Sequence, residues 1–409
     1  MERGTDSSVR PATRVLLIAD ARSPTTWGWV EAVRSAGAVV LDPDGRPWPE
    51  RQASNGRSPR SGATLRLRSL ASSTPRRLKM AQKLRRTLGP ILASIKGHRL
   101  RRSVDRASAD VVHALRIPYE AMTALAACPR GVPLTVSIWG NDLTLHASTN
   151  RIIGLATRRV LARADMLFAD CERDIELAQR WGFRPGLSTA VLPGGGGIQL
   201  HRLAEVRRAP ESPLADFLVS NHRLIVNARG CREYVCNDIL LKALSFLAAD
   251  LDPSVRIVFV DAAHDRALCR SVENHPLASQ IVVTGKYLPS EMFSVFGRTE
   301  IYVSITAHDG TPNSLLESMA AGAIPVCGDL PSIREWINHE SNGFLAAFDD
   351  VSEVADALQS ALKLSAADRN TIRAKNAQII AARAERGTTG RRAVDKYRGL
   401  VKQYQDRAT

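Results

Sequence analysis

Residues 308–329 read HDGTPNSLLESMAAGAIPVCGD and join a polar turn to an amphipathic helix and an apolar strand. Gly310 permits a tight turn, Thr311 is a good N-cap residue and Pro312 suits the first helical position. The segment therefore predicts a helix that begins here and runs to Gly322. Because apolar runs of strand length lie on both sides of it, the segment also predicts a strand–helix–strand unit of a parallel sheet.

The same alternation of strands and helices occupies most of the chain. Six apolar runs precede a Gly- and Pro-rich break, and six follow it. The runs are residues 14–20, 38–42, 109–115, 133–140, 164–170, 188–194, 223–229, 255–261, 280–285, 300–306, 323–329 and 343–348. The pattern predicts an α/β protein with two doubly wound parallel sheets, in domains at about residues 1–200 and 201–409. Their ligand-binding strand ends would face each other across a cleft.

Composition limits the class of protein. A chain of 409 residues is too long for one hydrophobic core, and 44% of it is apolar. No run approaches the roughly 20 apolar residues of a membrane-spanning helix, and the N-terminal MERGTDSSVRPATR lacks a signal-peptide core. The six cysteines are scattered, which favours a reduced cytoplasm. Because the chain has no P-loop, HExxH or dinucleotide fingerprint, we predict no cofactor and no metal. The four glycines at 194–197 favour an interdomain hinge.

The positive charge is concentrated in one segment. Net charge is +15, and residues 51–102 contain 15 Lys or Arg and no acid. Such a segment favours a polyanionic surface, either anionic lipid or nucleic acid. The alternative is a solvated, partly disordered insertion at about residues 51–104, and the sequence leaves both open.

Within this insertion, two patterns differ. Residues 54–73 are rich in Ser, Gly and Arg and predict a loop. Residues 76–102 predict a basic amphipathic helix, interrupted at Gly89 and Pro90. Its apolar positions are Leu78, Ala81, Leu84, Leu88, Ile91 and Ile95.

The opening segment also predicts an anion site. The first-turn amides of Asn313 and Ser314 have no partner within the helix and lie at the positive end of its dipole, which suits a phosphate. Glu317, one turn later, is placed to accept two hydrogen bonds from a vicinal diol such as a ribose. Asp309 lies on the other side of the phosphate position and would reach a sugar joined to it. The pattern favours a nucleotide sugar.

These segments resemble the group 1 glycosyltransferases, also called family 4, which have the GT-B fold of two Rossmann-like domains. The resemblance rests on an acid, seven residues and then Glu317, followed by SMAAGAIPVCGD and NGFLAAFDDVSEVADAL. It extends through ADVVHAL, VSIWGND, RRVLARADMLFADCERD, AVLPGGGGI and NARGCREYVCNDILLKAL in family order. It implies that a nucleotide sugar binds the C-terminal domain and an acceptor the N-terminal domain. It also implies retention at the anomeric carbon without a bound metal.

The resemblance implies residue roles on the donor side. Glu317 would hold the ribose, and Asp309, with Gly310 and Thr311, would face the donor sugar and its phosphate. The family usually has Glu at the first acid, and Asp reaches roughly 1.5 Å less. Arg229 matches a phosphate-binding Arg of the family. The family Lys position holds Tyr234 or Val235, so the second charge would come from Arg232 or Lys286.

On the acceptor side, the resemblance implies that the WGND loop at 139–142 faces the reacting sugar. Asp142 would orient or deprotonate an acceptor hydroxyl, or would cap its own loop through backbone amides. His113 and His146 are weaker candidates, for which a structural role is favoured.

Three functional hypotheses follow. The first is transfer of a hexose from a UDP- or GDP-sugar to a saccharide or lipid-linked acceptor, in polysaccharide or glycolipid biosynthesis at the cytoplasmic face of a bacterial membrane. The basic helix would attach the protein to anionic lipid. The second is a GT-B nucleotide-sugar epimerase or hydrolase. The third is a nucleic-acid-binding protein, which is disfavoured because no aromatic residue lies among the basic residues of 51–102.

Overall fold

All twelve predicted strands are present in the computed structural model, which describes residues 12–50, 75–206 and 222–407 together with Leu214 and Phe217. The first six are β1 (Arg14–Ile18), β2 (Val39–Leu41), β3 (Val111–Ala114), β4 (Leu134–Ile138), β5 (Met166–Ala169) and β6 (Ser188–Val191). The second six are β7 (Arg223–Asn227), β8 (Val255–Phe259), β9 (Ile281–Val283), β10 (Thr299–Ser304), β11 (Ile324–Gly328) and β12 (Phe344–Ala346). Most are buried on both faces, as the continuous apolar runs require.

Helices separate most of the strands and cover both sheets. In the first half they are α1 (Pro24–Ser35), α2 (Pro75–Arg106), α3 (Met122–Ala127), α4 (Arg151–Arg163), α5 (Glu172–Arg180) and α6 (Leu200–Val206). In the second half they are α7 (Asn237–Leu247), α8 (Arg266–Glu273), α9 (Pro289–Arg298), α10 (Asn313–Ala321), α11 (Pro331–Arg334), α12 (Val351–Lys363), α13 (Ala366–Arg383) and α14 (Arg386–Asp406). Helix α10 ends at Gly322, whose left-handed φ of +93° supplies the predicted stop. None of the described helices has both the length and the hydropathy needed to span a bilayer.

The strands form two six-stranded parallel sheets, which confirms the predicted fold of two doubly wound domains. Their orders are β2-β1-β3-β4-β5-β6 and β12-β11-β10-β7-β8-β9. The order reverses between β1 and β3 in the first sheet and between β7 and β10 in the second. A crevice forms beyond the carboxyl ends of the strands at each such reversal. The topology thus fixes where each domain can hold a ligand.

The last helix returns to the first sheet. Helix α14 packs on α1, and one face of it joins the core that contains β1 and β3. The Tyr397 hydroxyl lies 2.7 Å from His113 Nδ1, and Trp29 Nε1 donates to it over 3.3 Å. The predicted division at residue 200 groups α14 with the second sheet, whereas these apolar and polar contacts group it with the first.

Helix α2 is continuous, so the predicted interruption at Gly89 and Pro90 is wrong. The aromatic ring of Tyr119 fills the space beside Gly89, where a Cβ atom would lie 2.0 Å from Tyr119 Cε1. This packing, together with burial of Pro90, supports the helix where one backbone hydrogen bond is lost. The predicted loop at 54–73 lies outside the described residues, as do the side chains of Leu78, Ala81 and Leu84.

We expect Tyr397→Phe to lower the free energy of unfolding by about 1 to 3 kcal/mol, because two buried ring nitrogens lose their partner. Urea unfolding monitored by circular dichroism measures the change. Tyr287→Phe is the matched control, since no described residue hydrogen bonds to the partly buried Tyr287. An equal effect of the two substitutions would contradict a specific role of the Tyr397 hydroxyl.

Candidate active site

The reversal point of the second sheet brings two charged residues together. Arg229 follows β7 and Asp309 follows β10, and these two strands are neighbours. Arg229 Nη2 donates a hydrogen bond to Asp309 Oδ2, which forms a buried ion pair between residues 80 positions apart. The pair lies where an open α/β sheet binds its ligand.

The ion pair leaves part of the guanidinium available. Arg229 Nη1 donates to Ser314 Oγ at 3.5 Å, while the buried Nε has no hydrogen-bond partner in the described part of the chain. Burial raises the pKa of Asp309, and the positive charges of Arg229 and Arg232 oppose that rise. A buried cation with an unpaired N–H suits an anionic ligand.

Helix α10 begins one residue later than predicted. Pro312 is the N-cap with extended backbone, and Asn313 is the first helical residue, so the assignment of Thr311 as N-cap is wrong. Thr311 Oγ1 instead donates to the Asp170 carbonyl oxygen at 2.5 Å and accepts from Trp336 Nε1 at 2.9 Å. The hydroxyl is committed to these non-local bonds, and the first amides of α10 remain without a side-chain cap.

Glu317 lies one turn into α10 and retains partial exposure. No described residue donates a hydrogen bond to it. Burial raises the pKa of Glu317 to about 7, and the only opposing charge is that of Arg386. Arg386 Nη1 pairs with Glu31 of α1 at 2.6 Å, and Nη2 donates to the Gly197 carbonyl oxygen at 3.1 Å. The Glu317 carboxyl is therefore an unpaired acceptor beside the junction of both domains.

The two predicted sources of a second positive charge occupy different places. Arg232 follows β7, donates to the Tyr234 hydroxyl at 3.3 Å and lowers the pKa of Asp309 through its charge. Lys286 is exposed and follows β9, which is an edge strand separated from β7 by β8. The geometry favours Arg232 over Lys286 as the neighbour of the ion pair.

Arg173, which the sequence analysis missed, joins the two domains. Its Nη1 donates to the Asp309 carbonyl oxygen at 2.7 Å, and its Nη2 donates to the Gly140 carbonyl oxygen at 3.2 Å. Gly140 also touches Gly310, because a Cβ atom at Gly140 would lie 1.9 Å from Gly310 N. Arg173 lies four residues after the end of β5. No local sequence pattern indicates that its side chain reaches the other domain.

Asp170, Cys171 and Asp174 form the one described group whose ligand atoms lie close enough to bind a metal, within 4.8 Å of one another. Burial, and then the charge of Asp174, raises the pKa of Asp170 well above its usual range. Burial also raises the pKa of the Cys171 thiol, while Arg173 donates to Asp174 Oδ1 at 2.7 Å. The raised pKa values of Asp170 and Cys171 and the guanidinium of Arg173 reduce the negative charge of the group, and the absence of a metal site remains a prediction.

Asp142 is buried among donors from its own region. Its Oδ2 accepts from the backbone amides of Ile117 and Trp139 at 3.1 and 3.2 Å, and its Oδ1 accepts from Arg116 Nε at 3.1 Å. These bonds engage both carboxylate oxygens. The geometry favours the loop-capping alternative over proton transfer.

The two candidate histidines also contact protein groups. His113 Nε2 lies 2.9 Å from Ser137 Oγ, and burial lowers the pKa of His113 to about 3. His146 Nε2 lies 3.1 Å from Arg116 Nη2. Since His113 is enclosed in the first core, its role is structural.

Glu120, which the sequence analysis also missed, is one of three described acids of the first domain with an unsatisfied buried oxygen; the others are Asp170 and Asp174. It follows β3 at the reversal point of that sheet, after Tyr119, whose φ of +70° is strained for a residue with a Cβ atom. Glu120 Oε2 is buried and has no described partner. Burial raises the pKa of Glu120 to about 7; Arg116 opposes the rise, and Asp142 and Asp20 add to it. The position of Glu120 shortly after a buried strand was the one feature of the sequence that could have identified it as a candidate.

Comparison with known families accounts for both domains. The family described as Glycosyl transferases group 1 matches residues 221–378, and the Glycosyl transferase 4-like domain matches residues 21–195. The two matches contain every strand of both sheets except β1, which precedes residue 21, and they end before α14. They support the resemblance inferred from the sequence.

Two curated proteins are distantly similar. A GDP-mannose:cellobiosyl-diphosphopolyprenol alpha-mannosyltransferase of Xanthomonas campestris is 22% identical over 170 residues, which is 40% of this chain and 44% of that protein. Its counterpart in Xanthomonas oryzae pv. oryzae is 22% identical over 129 residues, or 30% of this chain and 34% of that protein. The alignments therefore span less than half the length of these relatives.

Solved structures share the fold across both domains. Anabaena HepE in complex with UDP and glucose has a TM-score of 0.66 at 14% identity, with 95% of this chain and all of that chain covered. Sucrose-phosphate synthase from Thermosynechococcus elongatus has a TM-score of 0.71 at 13% identity, with 96% and 100% covered. These similarities establish the GT-B fold.

We expect Asp309→Leu to lower the free energy of unfolding by about 3 to 5 kcal/mol, because it leaves the buried Arg229 charge without a partner. The double variant Arg229→Met/Asp309→Leu should be markedly more stable than the sum of the single changes predicts. Denaturant unfolding of the four proteins in this cycle measures the coupling.

The control is Asp329→Asn, which breaks the more exposed pair with Arg334 and should cost about 0 to 1 kcal/mol. Additive effects at positions 229 and 309 would show that the two residues do not form a stabilising pair.

Proposed function

The chain belongs to the group 1 glycosyltransferases, and we propose that it transfers a hexose from a nucleotide diphosphate sugar to a saccharide or lipid-linked acceptor. The observation that carries this proposal is the Arg229–Asp309 pair beside the uncapped start of α10, with Glu317 one turn behind. These groups supply a cation, free amides and a diol acceptor at one reversal point.

On the donor side, the diphosphate binds at the start of α10. The amides of Asn313 and Ser314 and the unpaired Nε of Arg229 donate to phosphate oxygens. Glu317 accepts from the ribose hydroxyls, which are good donors to an ionised carboxylate. HepE was solved with UDP, and the two Xanthomonas relatives are named for GDP-mannose, so both nucleotides are candidates.

In this proposal Asp309 does not contact the donor sugar directly. Its side chain is one methylene shorter than the Glu usual in the family, and one of its oxygens already accepts from Arg229. The carboxylate therefore orients the guanidinium toward the leaving diphosphate. As the sugar–phosphate bond breaks, Arg229 and the α10 dipole stabilise the charge that develops on the phosphate oxygen, without a metal.

On the acceptor side, Glu120 is better placed than Asp142 to receive a hydroxyl group, because its Oε2 has no described partner. The acceptor oxygen forms the new bond to the anomeric carbon, the bond to the outer phosphate oxygen breaks, and Glu120 takes the hydroxyl proton. Retention of configuration requires the acceptor to enter from the face that the diphosphate leaves.

We also propose that the acceptor is lipid-linked and that the protein works as a peripheral protein on the cytoplasmic face of a bacterial membrane. The concentration of 15 basic residues between positions 51 and 102 supports attraction to anionic lipid. A saccharide on a lipid carrier would then meet the cleft at the membrane surface.

Screening UDP-, GDP- and ADP-sugars for protection against thermal unfolding tests donor binding. A ligand at 100 times its Kd stabilises by about 2.7 kcal/mol. We expect Glu317→Ala and Arg229→Ala to abolish the protection, each judged against its own ligand-free midpoint. Glu273→Ala, a change of an exposed acid on α8, should keep it. Retained protection in both site variants would place the donor elsewhere.

Binding of the protective nucleotide sugar should depend on pH through Glu317. Because burial raises the pKa of Glu317 to about 7, the ionised acceptor is lost as pH falls below 7. Affinity should rise between about pH 6 and 8, by at most about tenfold per pH unit. Calorimetric titration measures it, and Glu317→Gln should flatten the profile. A wild-type profile that the Gln variant reproduces would remove Glu317 from this role.

A further inference from the structure

Between residues 88 and 97, helix α2 packs in the reverse of the usual sense, although Leu100 and Val104 further along the helix face the core. In this part the buried face uses small residues, and the outward face carries large aliphatic side chains. The buried small residues are Gly89, Ala93 and Gly97, at intervals of four. The exposed side chains are Leu88 (41%), Ile91 (50%), Leu92 (60%) and Ile95 (46%). A helix that only covers a core places its large apolar residues inward.

Close packing explains the small residues. A Cβ atom at Gly97 would lie 2.3 Å from the Thr123 carbonyl oxygen, so α2 and α3 approach backbone to backbone. The core gains nothing from the aliphatic side chains on the other face. Positions 88, 91, 92 and 95 follow the spacing of one helical stripe, so the four side chains form a continuous apolar surface.

Helix α4, which packs beside α2, buries Ile153, Val160 and Leu161 in the usual sense but also exposes two large aliphatic side chains. Ile152 and Leu155 are 40% and 59% exposed. In the described part of the chain nine large apolar side chains are exposed, and six of them lie on these two neighbouring helices. Such clustering distinguishes a binding surface from the single exposed apolar residues that every protein has.

The charge on both helices is strongly positive. Residues 87–106 contain five Lys or Arg and one acid, and α4 contains four Arg and no acid. The basic residues are Lys96, Arg99, Arg101, Arg102, Arg106, Arg151, Arg158, Arg159 and Arg163. A surface that combines aliphatic and basic side chains matches the acyl boundary and headgroups of an anionic bilayer.

Other occupants match only one of these properties. A second copy of the chain would bring two basic faces together, which like-charge repulsion opposes. Nucleic acid would neutralise the charge, but its phosphates offer nothing to the aliphatic stripe. The anionic bilayer satisfies both the charge and the apolar surface.

We propose that α2 and α4 form a membrane-docking face that inserts Leu88, Ile91, Leu92, Ile95, Ile152 and Leu155 into an anionic bilayer. The proposal rests on the peripheral function proposed above and names its surface. Gly89 of α2 seats the ring of Tyr119, the residue before Glu120. The helix that carries the docking stripe thus contacts, through its opposite face, the loop that carries Glu120, where a lipid-linked saccharide would arrive.

Flotation of the full chain with vesicles tests the proposal. The vesicles are phosphatidylcholine alone or phosphatidylcholine with phosphatidylglycerol. We expect the wild type to float with the anionic vesicles only. Ile91→Ser/Leu92→Ser/Ile95→Ser and Leu155→Ser should each reduce the bound fraction, the triple variant by about tenfold or more. Phe246→Ser removes a 70% exposed aromatic residue from α7 in the other domain and should bind as wild type.

Two further measurements separate the possible failures. Nucleotide sugars should protect the docking variants against thermal unfolding as well as they protect the wild type. If they protect neither the variants nor the wild type, the transferase proposal is refuted and the docking face is not. Equal flotation of wild type and the triple variant would overturn insertion and leave only adsorption by charge. Unchanged flotation of Leu155→Ser would remove α4 from the face. Self-association that the triple substitution abolishes would identify a second copy as the occupant.

Discussion

The buried ion pair between Arg229 and Asp309 is the constraint on which the rest of the site depends. A charge removed from water is tolerated only with a countercharge, so the loops after β7 and β10 must keep one mutual geometry. That geometry sets the Arg229 Nε beside the first turn of α10, which has no side-chain cap. An anion held there completes an arrangement that the protein alone leaves unsatisfied. The raised pKa of Glu317 follows from the same enclosure, one turn further along the helix.

The two domains meet through backbone contacts that leave no room for side chains. Gly140 touches Gly310 across the boundary, and Gly195 of the first domain lies against Asn313, since a Cβ atom at Gly195 would lie 2.8 Å from Asn313 Nδ2. Arg173 then bridges the gap with bonds to both sides. Helix α14 ties the end of the chain to the first core. The loop that carries Asp309 and Gly310 is thus held in contact with the loops of the first domain.

The first domain combines two features on neighbouring elements. One is an acid, Glu120, buried without a described partner at the strand ends. The other is a pair of basic helices whose large aliphatic side chains face outward. Because α2 supports the loop before Glu120 through Gly89 and Tyr119, both features belong to one structural unit.

The sequence by itself determined the local elements, which are all twelve strands, the end of α10 at Gly322 and the segment that carries Asp309 and Glu317. Apolar periodicity and the conformational freedom of glycine act over only a few residues, so they can be recognised in the sequence alone. The order of the strands, and hence the meeting of Arg229 with Asp309, was not predicted from the sequence and is seen only in the structure. Tertiary structure decided the rest. It assigned the Thr311 hydroxyl to Asp170, carried α2 through Pro90 and engaged both oxygens of Asp142. It also brought Arg173 and α14 across the domain boundary. Each of these contacts depends on a partner far away in the chain, which no local pattern reveals. The packing energy of such a contact exceeds the weak local preference for a helix cap or a helix interruption.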